Sequence, residues 1–547
     1  MNAIASIKKS LKDYLENNFQ LPNNIELNLN LNLDQNKQHF GDINTNFALI
    51  LSKDLNITPI ELAKKIQENL KNEFIEKIEV ANPGFINIFL TLNAIKQLAS
   101  EFFELGDTFF KDNSLQPQNY NIEFVSANPT GPLHVGNGRG GIIGDVLANV
   151  LALLHNKVVK EYYINDAGSQ IEKLGNSLKI RCLQQLGESI QLPEDAYHGE
   201  YLIELAKKFI EKHGPEIQKL NLDTFSIYAQ DQILANIRHT LEEYKIHFDV
   251  WFSEKTLHTN GSIAQILSKL KENGIVYEKD EALWFKSTEF GDDKDRVVKK
   301  TNGEYTYAAA DIAYMKNKLD RGFTKLIMVL GQDHHGYIPR LKATMQALGH
   351  KSEDFEVILY QLVAVKESGN LIRLSKRSGR LITLEDIIKT VGADIARFFY
   401  LNKKADAHLD FDIDLALKQT DENPVYYVQY AYVRTLSILN KAQQEHNIKD
   451  INKIDINFIT ETEKILIKKI ISLKALLESI AQNYQIHLLT YYVIELAQYF
   501  HAYYGAQRVI DTGNIEKTRG RLVVIVLLHR TFSLCFKLLG ISAPQKM

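Results

Sequence analysis

The sequence predicts an α/β protein organised around a parallel sheet, preceded by a small α+β domain and followed by an all-α helical bundle. Residues 121–126 have the pattern of a short buried strand, which leads through a glycine- and proline-containing turn into a helical pattern at 138–154. A second strand pattern, 325–330, lies far downstream, and beyond about Asp414 the apolar spacing is helical. Strands alternating with helices in this way are typical of an open parallel sheet.

A polar stretch at 111–118 marks the first predicted domain boundary. We predict three domains: residues 1–112, 113–396 and 397–547. The first mixes an amphipathic helix, 58–72, with short strands such as 84–90. In the second, a charged segment at about 167–300, predicted to be helical, separates the two halves of the sheet.

Composition indicates a large protein of the cytoplasm. The chain of 547 residues is 45% hydrophobic and 24% charged, and its N-terminus lacks the apolar core of a signal peptide. The apolar run at 522–528 is interrupted by His529, Arg530 and Lys537, well short of the roughly 20 residues that a membrane span needs. We therefore expect a buried helix there and no membrane association.

The sequence offers no convincing metal site. Cys182 and Cys535 are the only cysteines, which excludes a thiolate cage. His334 and His335 are adjacent, so their side chains point apart, and Asp333 is too close in sequence to join them in one coordination sphere. We predict no bound metal and no tightly bound cofactor.

Residues 127–137, A-N-P-T-G-P-L-H-V-G-N, join the first predicted strand to its helix. The carboxyl end of such a strand is where open α/β sheets bind ligands, and the helix N-terminus offers N–H groups to phosphates. His134 would face that anion, while Gly131, Gly136 and Gly138 permit close backbone approach. Taken alone, a histidine in this position is more often part of an ordinary strand-to-helix loop.

A second motif, Arg373-Leu374-Ser375-Lys376-Arg377, lies in the other half of the predicted sheet. A flexible lysine there can stabilise charge that develops on the phosphates of a leaving pyrophosphate. Taken alone, a basic cluster of this kind is more often solvated surface. The two motifs together resemble the "HIGH" and "KMSKS" signatures of class I aminoacyl-tRNA synthetases, with Asn137 in place of the second histidine. Asparagine can position a ligand but carries no charge.

More widely, the chain resembles the bacterial arginine–tRNA ligases over nearly its whole length. The resemblance implies a Rossmann-like catalytic domain, the substrates ATP (with Mg²⁺), L-arginine and tRNA(Arg), and a monomeric enzyme that generally needs bound tRNA to activate its amino acid. The stretches that carry it are 122–131 (I-E-F-V-S-A-N-P-T-G), 161–170 (E-Y-Y-I-N-D-A-G-S-Q), 331–340 (G-Q-D-H-H-G-Y-I-P-R), 375–379 (S-K-R-S-G) and 541–547.

The same resemblance assigns site residues. The catalytic residues implied are His134, Asn137 and Lys376. Those implied to bind ATP are Ala127, Asn128, Pro129, Thr130, Gly131, Pro132, Leu133, Val135, Gly136, Asp333, His334 and Ser375. Those implied to bind arginine are Glu123, Asn128, Tyr307, Asp311 and Gln332.

The residues themselves support a guanidinium ligand, which favours carboxylates and an aromatic face. Tyr307 and Asp311 are four apart in a helical segment and share one face. From spacing alone, however, a helix packed by its tyrosine with an exposed aspartate is the more common arrangement. The same carboxylates would also suit lysine as a substrate, so a class I ligase for lysine remains an alternative.

The flanking domains are implied to contact tRNA. Phe40-Gly41-Asp42 and Asn82-Pro83-Gly84-Phe85 match the family's N-terminal domain, which contacts the tRNA elbow, and the C-terminal bundle is implied to read the anticodon. Tyr426, Tyr427, Tyr430 and Tyr432 are candidates to stack on unpaired bases, although tyrosines so spaced surround a helix and some must be core. Arg434 and residues 517–521 are candidates to contact phosphates, or are solvated surface.

Two other classes of function remain open at this point. A small-molecule nucleotidylyltransferase would share the ATP motifs but lack the flanking domains. A non-catalytic tRNA-binding paralogue would keep those domains and lose active-site residues, and Asn137 is the one sign in that direction. The formal net charge of −3 means that any RNA-binding surface must be local.

Overall fold

The structure is a computed structural model that describes residues 3–21, 29–32, 39–110, 117–372, 382–445 and 456–547. It divides into two compact units. One contains residues 113–418 with 484–487, and the other contains residues 1–112 together with 419–483 and 488–547. The domain boundary predicted at residue 396 therefore falls inside the first of these units.

The first unit is built around a five-stranded sheet in which every pair of neighbours is parallel. Its elements are β5 (Asn119–Phe124), α5 (Val135–Leu153), β6 (Lys157–Ile164), α6 (Ser169–Gln185), α7 (Tyr201–His213), α8 (Leu222–Glu243), β7 (Val250–Ser253), α9 (Lys255–Thr259), α10 (Ser262–Glu272), β8 (Val276–Lys279), β9 (Ala282–Phe285), β10 (Arg296–Lys299), α11 (Tyr307–Asp320), β11 (Lys325–Gly331), α12 (Ile338–Ala347), β12 (Phe355–Tyr360), β13 (Val363–Glu367), β14 (Asn370–Ile372), α13 (Leu384–Val391), α14 (Ala393–Leu401), β15 (Leu409–Asp412) and α15 (Ile413–Ala416).

The strand order of this sheet is β12-β11-β5-β6-β7, which confirms the predicted parallel sheet. The chain leaves β5 towards β6 on one side and later returns as β11 on the other side. The carboxyl ends of β5 and β11 therefore flank a topological switch point, the position at which sheets of this kind bind ligands.

Close packing of α5 on the sheet depends on glycine. A Cβ at Gly144 would overlap the ring of Phe124 on β5, and a Cβ at Gly138 would overlap the side chain of Leu384. Fourteen of the nineteen residues of α5 are buried. The helix therefore lies close to β5 and fixes the position of its own N-terminus at the edge of the sheet.

The sequence predicts a helical segment at 167–300, but the structure shows strands there as well as helices. Its strand β7 pairs with β6 as the edge of the central sheet, and β8, β9 and β10 form a separate antiparallel sheet. Each of these strands has only four residues, too few for an alternating pattern to stand out among long helices.

The second unit combines the two ends of the chain. Its four-stranded sheet has the order β1-β2-β4-β3, and helices make up the remainder. The elements are α1 (Ala3–Asn18), β1 (Asn30–Leu31), β2 (Ile43–Thr45), α2 (Phe47–Leu51), α3 (Pro59–Asn69), β3 (Ile75–Ala81), β4 (Phe85–Leu90), α4 (Leu92–Leu105), α16 (Pro424–Glu445), α17 (Glu461–Ile471), α18 (Leu473–Asn483), α19 (His487–Ala506) and α20 (Ile515–Leu539).

Direct contacts join the N-terminal elements to the C-terminal helices within this unit. Arg530 on α20 donates to the carbonyl oxygen of Phe103 on α4 at 2.6 Å, and its guanidinium lies over the Phe103 ring. Lys468 on α17 pairs with the buried carboxylate of Asp42. The ends of the chain thus pack as one body.

Helix α20 is long and apolar enough to cross a membrane by length and composition, but 78% of its most apolar stretch is buried in the fold. Leu522, Leu527 and Leu528 are fully buried. The helix therefore has the burial of a core helix, as the sequence predicted for residues 522–528.

Candidate active site at the sheet's switch point

His134 is the N-cap of α5 and lies directly after the loop that follows β5. Its Nδ1 accepts a hydrogen bond from the backbone N–H of Gly136 at 3.1 Å. The backbone N–H of His134 donates to Oδ1 of Asn137 at 3.0 Å. Because Nδ1 is an acceptor, the neutral imidazole carries its proton on Nε2. The site thus presents a ring N–H beside the positive end of a helix dipole, which suits a phosphate group.

The loop between β5 and His134 is fixed by hydrogen bonds from two tyrosines on other elements. The hydroxyl of Tyr162 on β6 donates to the carbonyl oxygen of Ala127 at 2.8 Å, and that of Tyr201 on α7 donates to the carbonyl oxygen of Thr130. Pro129 and Leu133 are buried, whereas Asn128 is exposed. The predicted ATP-binding residues from Ala127 to Gly136 therefore form one anchored loop and helix start.

Residues 382–384 pair directly with the signature. The N–H of Leu384 donates to the carbonyl oxygen of Leu133 at 2.8 Å, and His134 forms an isolated antiparallel bridge with Thr383. The second predicted motif, with Ser375 and Lys376, lies outside the described residues. Residues 382–384, which come after it in the sequence, lie beside His134.

The chain kinks sharply where β5 ends. Val125 and Ser126 have φ angles of 66° and 39°, which are unfavourable for residues with a side chain, above all a β-branched one. The kink allows the Ser126 hydroxyl to donate to Oε1 of Glu123 at 3.2 Å and to accept from the N–H of Tyr163 at 3.1 Å. Backbone strain of this kind persists where surrounding contacts impose it, often at functional sites.

Helix α11 presents four residues along one face: Tyr307, Asp311, Tyr314 and Lys318. Tyr307 is 67% exposed. Asp311 is part-buried and pairs with Arg340 on α12 at 2.8 Å. The expected alternative, a packed tyrosine with an exposed aspartate, is therefore not what α11 shows.

The carboxyl group of Asp311 has an unusual affinity for protons. Burial raises its pKa to about 6, Arg340 opposes that rise, and the nearby carboxylates of Glu254 and Glu123 add to it. Negative charge is therefore concentrated at this point and is only partly compensated by Arg340. A group with these properties in a cleft is a candidate for binding a cation.

Glu123 forms a buried ion pair with Lys318. Its Oε2 lies 2.6 Å from Nζ of Lys318, and the two side chains are only 5% and 3% exposed. Glu123 and Asp311, predicted from distant parts of the chain, are thus brought to the same edge. Lys318 and Arg340 were missed by the sequence analysis, although the helical spacing from Tyr307 to Lys318 was a signal for the former.

Glu254, another residue that the sequence analysis missed, belongs to the same cluster. It is buried and hydrogen-bonded to Tyr163, which is also close to Asp311 and Glu123. Burial, together with Glu254 and Asp311, raises the pKa of Tyr163 above its ordinary range, so its hydroxyl remains a donor. No motif pointed to Glu254, which lies between β7 and the short helix α9.

Behind this cluster, Glu161 on β6 fixes α11 to the sheet. It accepts two hydrogen bonds from Arg321, at 2.7 and 2.9 Å, and one from Tyr314 at 2.6 Å. Burial alone would raise its pKa, but Lys318 and these donors hold the pKa below the ordinary value. Glu161 therefore stays ionised.

The remaining predicted residues lie in the turn after β11. Gln332 is half-buried, while Asp333 and His334 are exposed, with His334 Nε2 3.7 Å from Oδ2 of Asp333. Because β11 neighbours β5, this turn and the loop before His134 meet at one edge of the sheet. Among the described residues, no group of three or more histidine, cysteine or acidic side chains is placed to hold a metal ion.

Family models match almost the whole chain. Residues 3–90 match the arginyl tRNA synthetase N terminal domain, residues 106–408 match the catalytic domain of tRNA synthetases class I (R), and residues 428–547 match the DALR anticodon binding domain.

Individual proteins of known function are similar to this chain over nearly its whole length. The chain is 41% identical to the arginine–tRNA ligase of Oceanobacillus iheyensis, over 94% of this chain and 93% of that protein. It is 41% identical to the arginine–tRNA ligase of Bacillus subtilis, over 98% and 97%. Among solved structures, an arginyl-tRNA synthetase from Campylobacter jejuni matches with a TM-score of 0.77 and 36% identity, covering 84% of this chain and 100% of that one. The Thermus thermophilus arginyl-tRNA synthetase shares the fold, with a TM-score of 0.73 at 21% identity over 99% of each chain.

Proposed function

The chain belongs to the arginine–tRNA ligases, class I enzymes that join arginine to tRNA at the expense of ATP, and we propose that the switch-point site described above performs both steps. In the first step a carboxylate oxygen of arginine attacks the α-phosphate of ATP in line and pyrophosphate leaves. In the second step the arginyl group passes to the terminal adenosine of tRNA and AMP is released. The observation that carries the proposal is the capped N-terminus of α5 beside a buried cluster of carboxylates.

ATP is placed along the loop before α5. The Nε2–H of His134 and the helix N-terminus donate to phosphate oxygens, and Gly136 allows the backbone to approach. Lys376 is assigned to the β- and γ-phosphates on the basis of its motif alone. Asp333 and His334 are assigned to the nucleoside end, since their turn lies beside this loop.

Mg²⁺ enters with ATP as part of the substrate. It prefers phosphate oxygens and water to an all-protein cage, and the described part of the chain offers no such cage. The protein's contribution is then to bind the complex and to stabilise the charge that develops on the leaving pyrophosphate.

The arginine side chain is placed beside Asp311 and Glu123, with Glu254 and Tyr163 close by. Among the residues that the structure describes, four buried or part-buried carboxylates at this edge face three permanent cations, which leaves one negative charge for a monocationic substrate. The carboxylates belong to Glu123, Glu161, Glu254 and Asp311, and the cations to Lys318, Arg321 and Arg340.

The opposite end of arginine, its amino and carboxylate groups, must reach the α-phosphate. Asn128 is exposed in the loop before His134 and is assigned to that end, and Gln332 after β11 is assigned to the pocket wall. The exposed ring of Tyr307 is assigned to the pocket mouth, where a planar guanidinium can pack on an aromatic face.

Transfer RNA is expected to engage the C-terminal helices through an aromatic and basic cluster. Arg434 on α16 donates to the hydroxyl of Tyr430 at 2.7 Å and lies over the rings of Tyr430 and Tyr504. Tyr430 is 37% exposed and Tyr504 is 36% exposed, so part of each ring can reach an unpaired base. Tyr432 is only 5% exposed and stacks on His529, which makes it a core residue.

We further propose that the enzyme acts as a cytoplasmic monomer with no membrane association. The support is that the apolar helix α20 is mostly covered by the rest of its unit, while the monomeric state rests on the resemblance to the family alone. The N-terminal domain is assigned to the tRNA elbow on the basis of its match to the family's N-terminal model.

A charging assay with the purified protein tests the function. Total tRNA is incubated with ATP and each of the twenty labelled amino acids in turn, and we expect acid-precipitable product with arginine alone. Periodate-oxidised tRNA, which lacks an intact terminal ribose, should give none. Charging with lysine at a comparable rate would show that the pocket has been assigned to the wrong cation.

A further inference from the structure

We propose that Lys318 is a positioning residue of the arginine pocket: it holds Glu123 in place, so that Glu123 receives arginine as a fixed hydrogen-bond acceptor. This inference rests on the proposed placement of arginine beside Glu123. Lys318 belongs to neither signature motif, and its side chain is nearly inaccessible. Its role must therefore be exerted through a neighbour.

The geometry fixes both oxygens of Glu123. Oε2 lies 2.6 Å from Nζ of Lys318, and Oε1 accepts from the hydroxyl of Ser126 at 3.2 Å. Ser126 is itself held in a left-handed conformation by its hydrogen bond from Tyr163. A carboxylate bound at both oxygens has little freedom to rotate, which is what preorganised recognition requires.

Lys318 is placed by α11. It lies seven residues after Asp311, two helical turns along the same face, and its Nζ is 4.3 Å from the centroid of the Tyr314 ring. Tyr314 is in turn hydrogen-bonded to Glu161. One helix therefore carries both Asp311 and the cation that neutralises Glu123.

Charge explains why the pair is needed. A buried carboxylate without a cation is costly, and it either takes up a proton or turns towards another donor. Lys318 compensates the charge of Glu123 locally, and Asp311 and Glu254 add further negative charge to the same cluster.

The test uses arginine-dependent pyrophosphate exchange with tRNA present. Lys318→Met should raise the KM for arginine by about tenfold or more, because it removes one charge-assisted hydrogen bond from a buried carboxylate. The KM for ATP should stay within about twofold and kcat should change less than the KM for arginine. Lys318→Arg, which keeps the charge, should recover most of the loss. The matched control is Lys316→Met on the same helix, whose side chain pairs with Asp320 at the surface and should have no effect.

A double-mutant comparison separates positioning from a merely structural role. In a Glu123→Gln background, Lys318→Gln should cause no further rise in the KM for arginine, and this neutral pair should fold even where Lys318→Met does not. A further rise of about fivefold or more would overturn the inference, as would an unchanged KM in folded Lys318→Met. Glu123→Gln alone separates the two levels of the account: if it leaves the KM for arginine unchanged, the placement of arginine itself is wrong.

Discussion

The backbone N–H of His134 donates a hydrogen bond to Oδ1 of Asn137 at 3.0 Å, so the two polar side chains of the signature close the first turn of α5 together. The asparagine that replaces the family's second histidine is thus part of a capping box. Its carbonyl oxygen is committed to the helix, and it adds no charge to the phosphate site.

This arrangement predicts opposite effects of Asn137→Asp on stability and on activity. The aspartate keeps the capping oxygen and its charge suits a helix N-terminus, so the melting temperature should be unchanged or raised. The same charge repels phosphates, so the KM for ATP should rise by about tenfold. Asn137→Ala is the control, since it loses the cap without adding charge. An unchanged KM for ATP in Asn137→Asp would place the phosphates elsewhere.

His134→Ala should lower the turnover of pyrophosphate exchange by about 10²-fold or more, because a donor to the transition-state phosphate is lost. Affinity for tRNA, measured by filter binding, should change little. His134→Asn supplies an alternative N-cap and controls for helix stability. Equal losses of turnover and tRNA binding in His134→Ala would indicate misfolding rather than chemistry.

The raised pKa of Asp311, about 6, predicts a pH dependence of arginine binding. As pH falls through 6 the free enzyme gains a proton on this carboxylate and loses negative charge, so kcat/KM for arginine should fall, approaching tenfold for each further pH unit. At saturating arginine the effect on kcat should be smaller, because a bound cation favours the ionised form. Asp311→Asn should have a lower kcat/KM for arginine at every pH, and its kcat/KM should not fall further as pH drops through 6. If kcat/KM for arginine still falls below pH 6 in Asp311→Asn, the titration belongs to another group.

The pocket should reject amino acids that cannot replace the guanidinium. Lysine, ornithine and citrulline leave buried polar groups unpaired or the pocket charge unbalanced, which can discriminate by about 10⁴ or more. Canavanine retains the planar fork of donors and should be activated measurably at millimolar concentration. Pyrophosphate exchange with these four compounds measures the preference. Exchange with lysine and none with canavanine would contradict a guanidinium pocket.

The exposed tyrosines of the C-terminal helices should contribute to tRNA binding. Tyr430→Ala and Tyr504→Ala should each raise the KM for tRNA by an amount equivalent to about 1–3 kcal/mol per stacked base, without changing arginine activation at saturating tRNA. Tyr491, which is 39% exposed on α19, provides a matched exposed tyrosine outside the contact with Arg434. If Tyr491→Ala has an effect as large as that of Tyr430→Ala, the cluster around Arg434 is not the specific surface.

The sequence was most informative where the evidence is local. The helical spacing of α5, the strand β11 and the four-residue spacing of Tyr307 and Asp311 all appear in the structure. Residues 121–126 were predicted as a strand, but β5 ends at Phe124 because the chain turns at Val125 and Ser126, where the Ser126 hydroxyl bonds Glu123 and Tyr163. Such a kink depends on side-chain contacts that periodicity does not report.

The internal cations of the pocket could not be predicted in the same way. Lys318 and Glu123 are 195 residues apart, and Arg340 and Asp311 are 29 apart. Their pairing follows from the neighbouring positions of β5 and β11 in the sheet, which the motifs imply only in outline. Glu254 required a further step, since the strand that precedes it, β7, was hidden in a segment predicted to be helical.

The most direct test of the central claim is ATP–pyrophosphate exchange with arginine, measured with and without total tRNA from the source cell and compared with lysine. The account predicts exchange with arginine that appears when tRNA is added, and none with lysine. Absence of exchange with arginine even when tRNA is present would contradict a catalytic site at His134 and Asn137, and Asn137→His would then be the first variant to make.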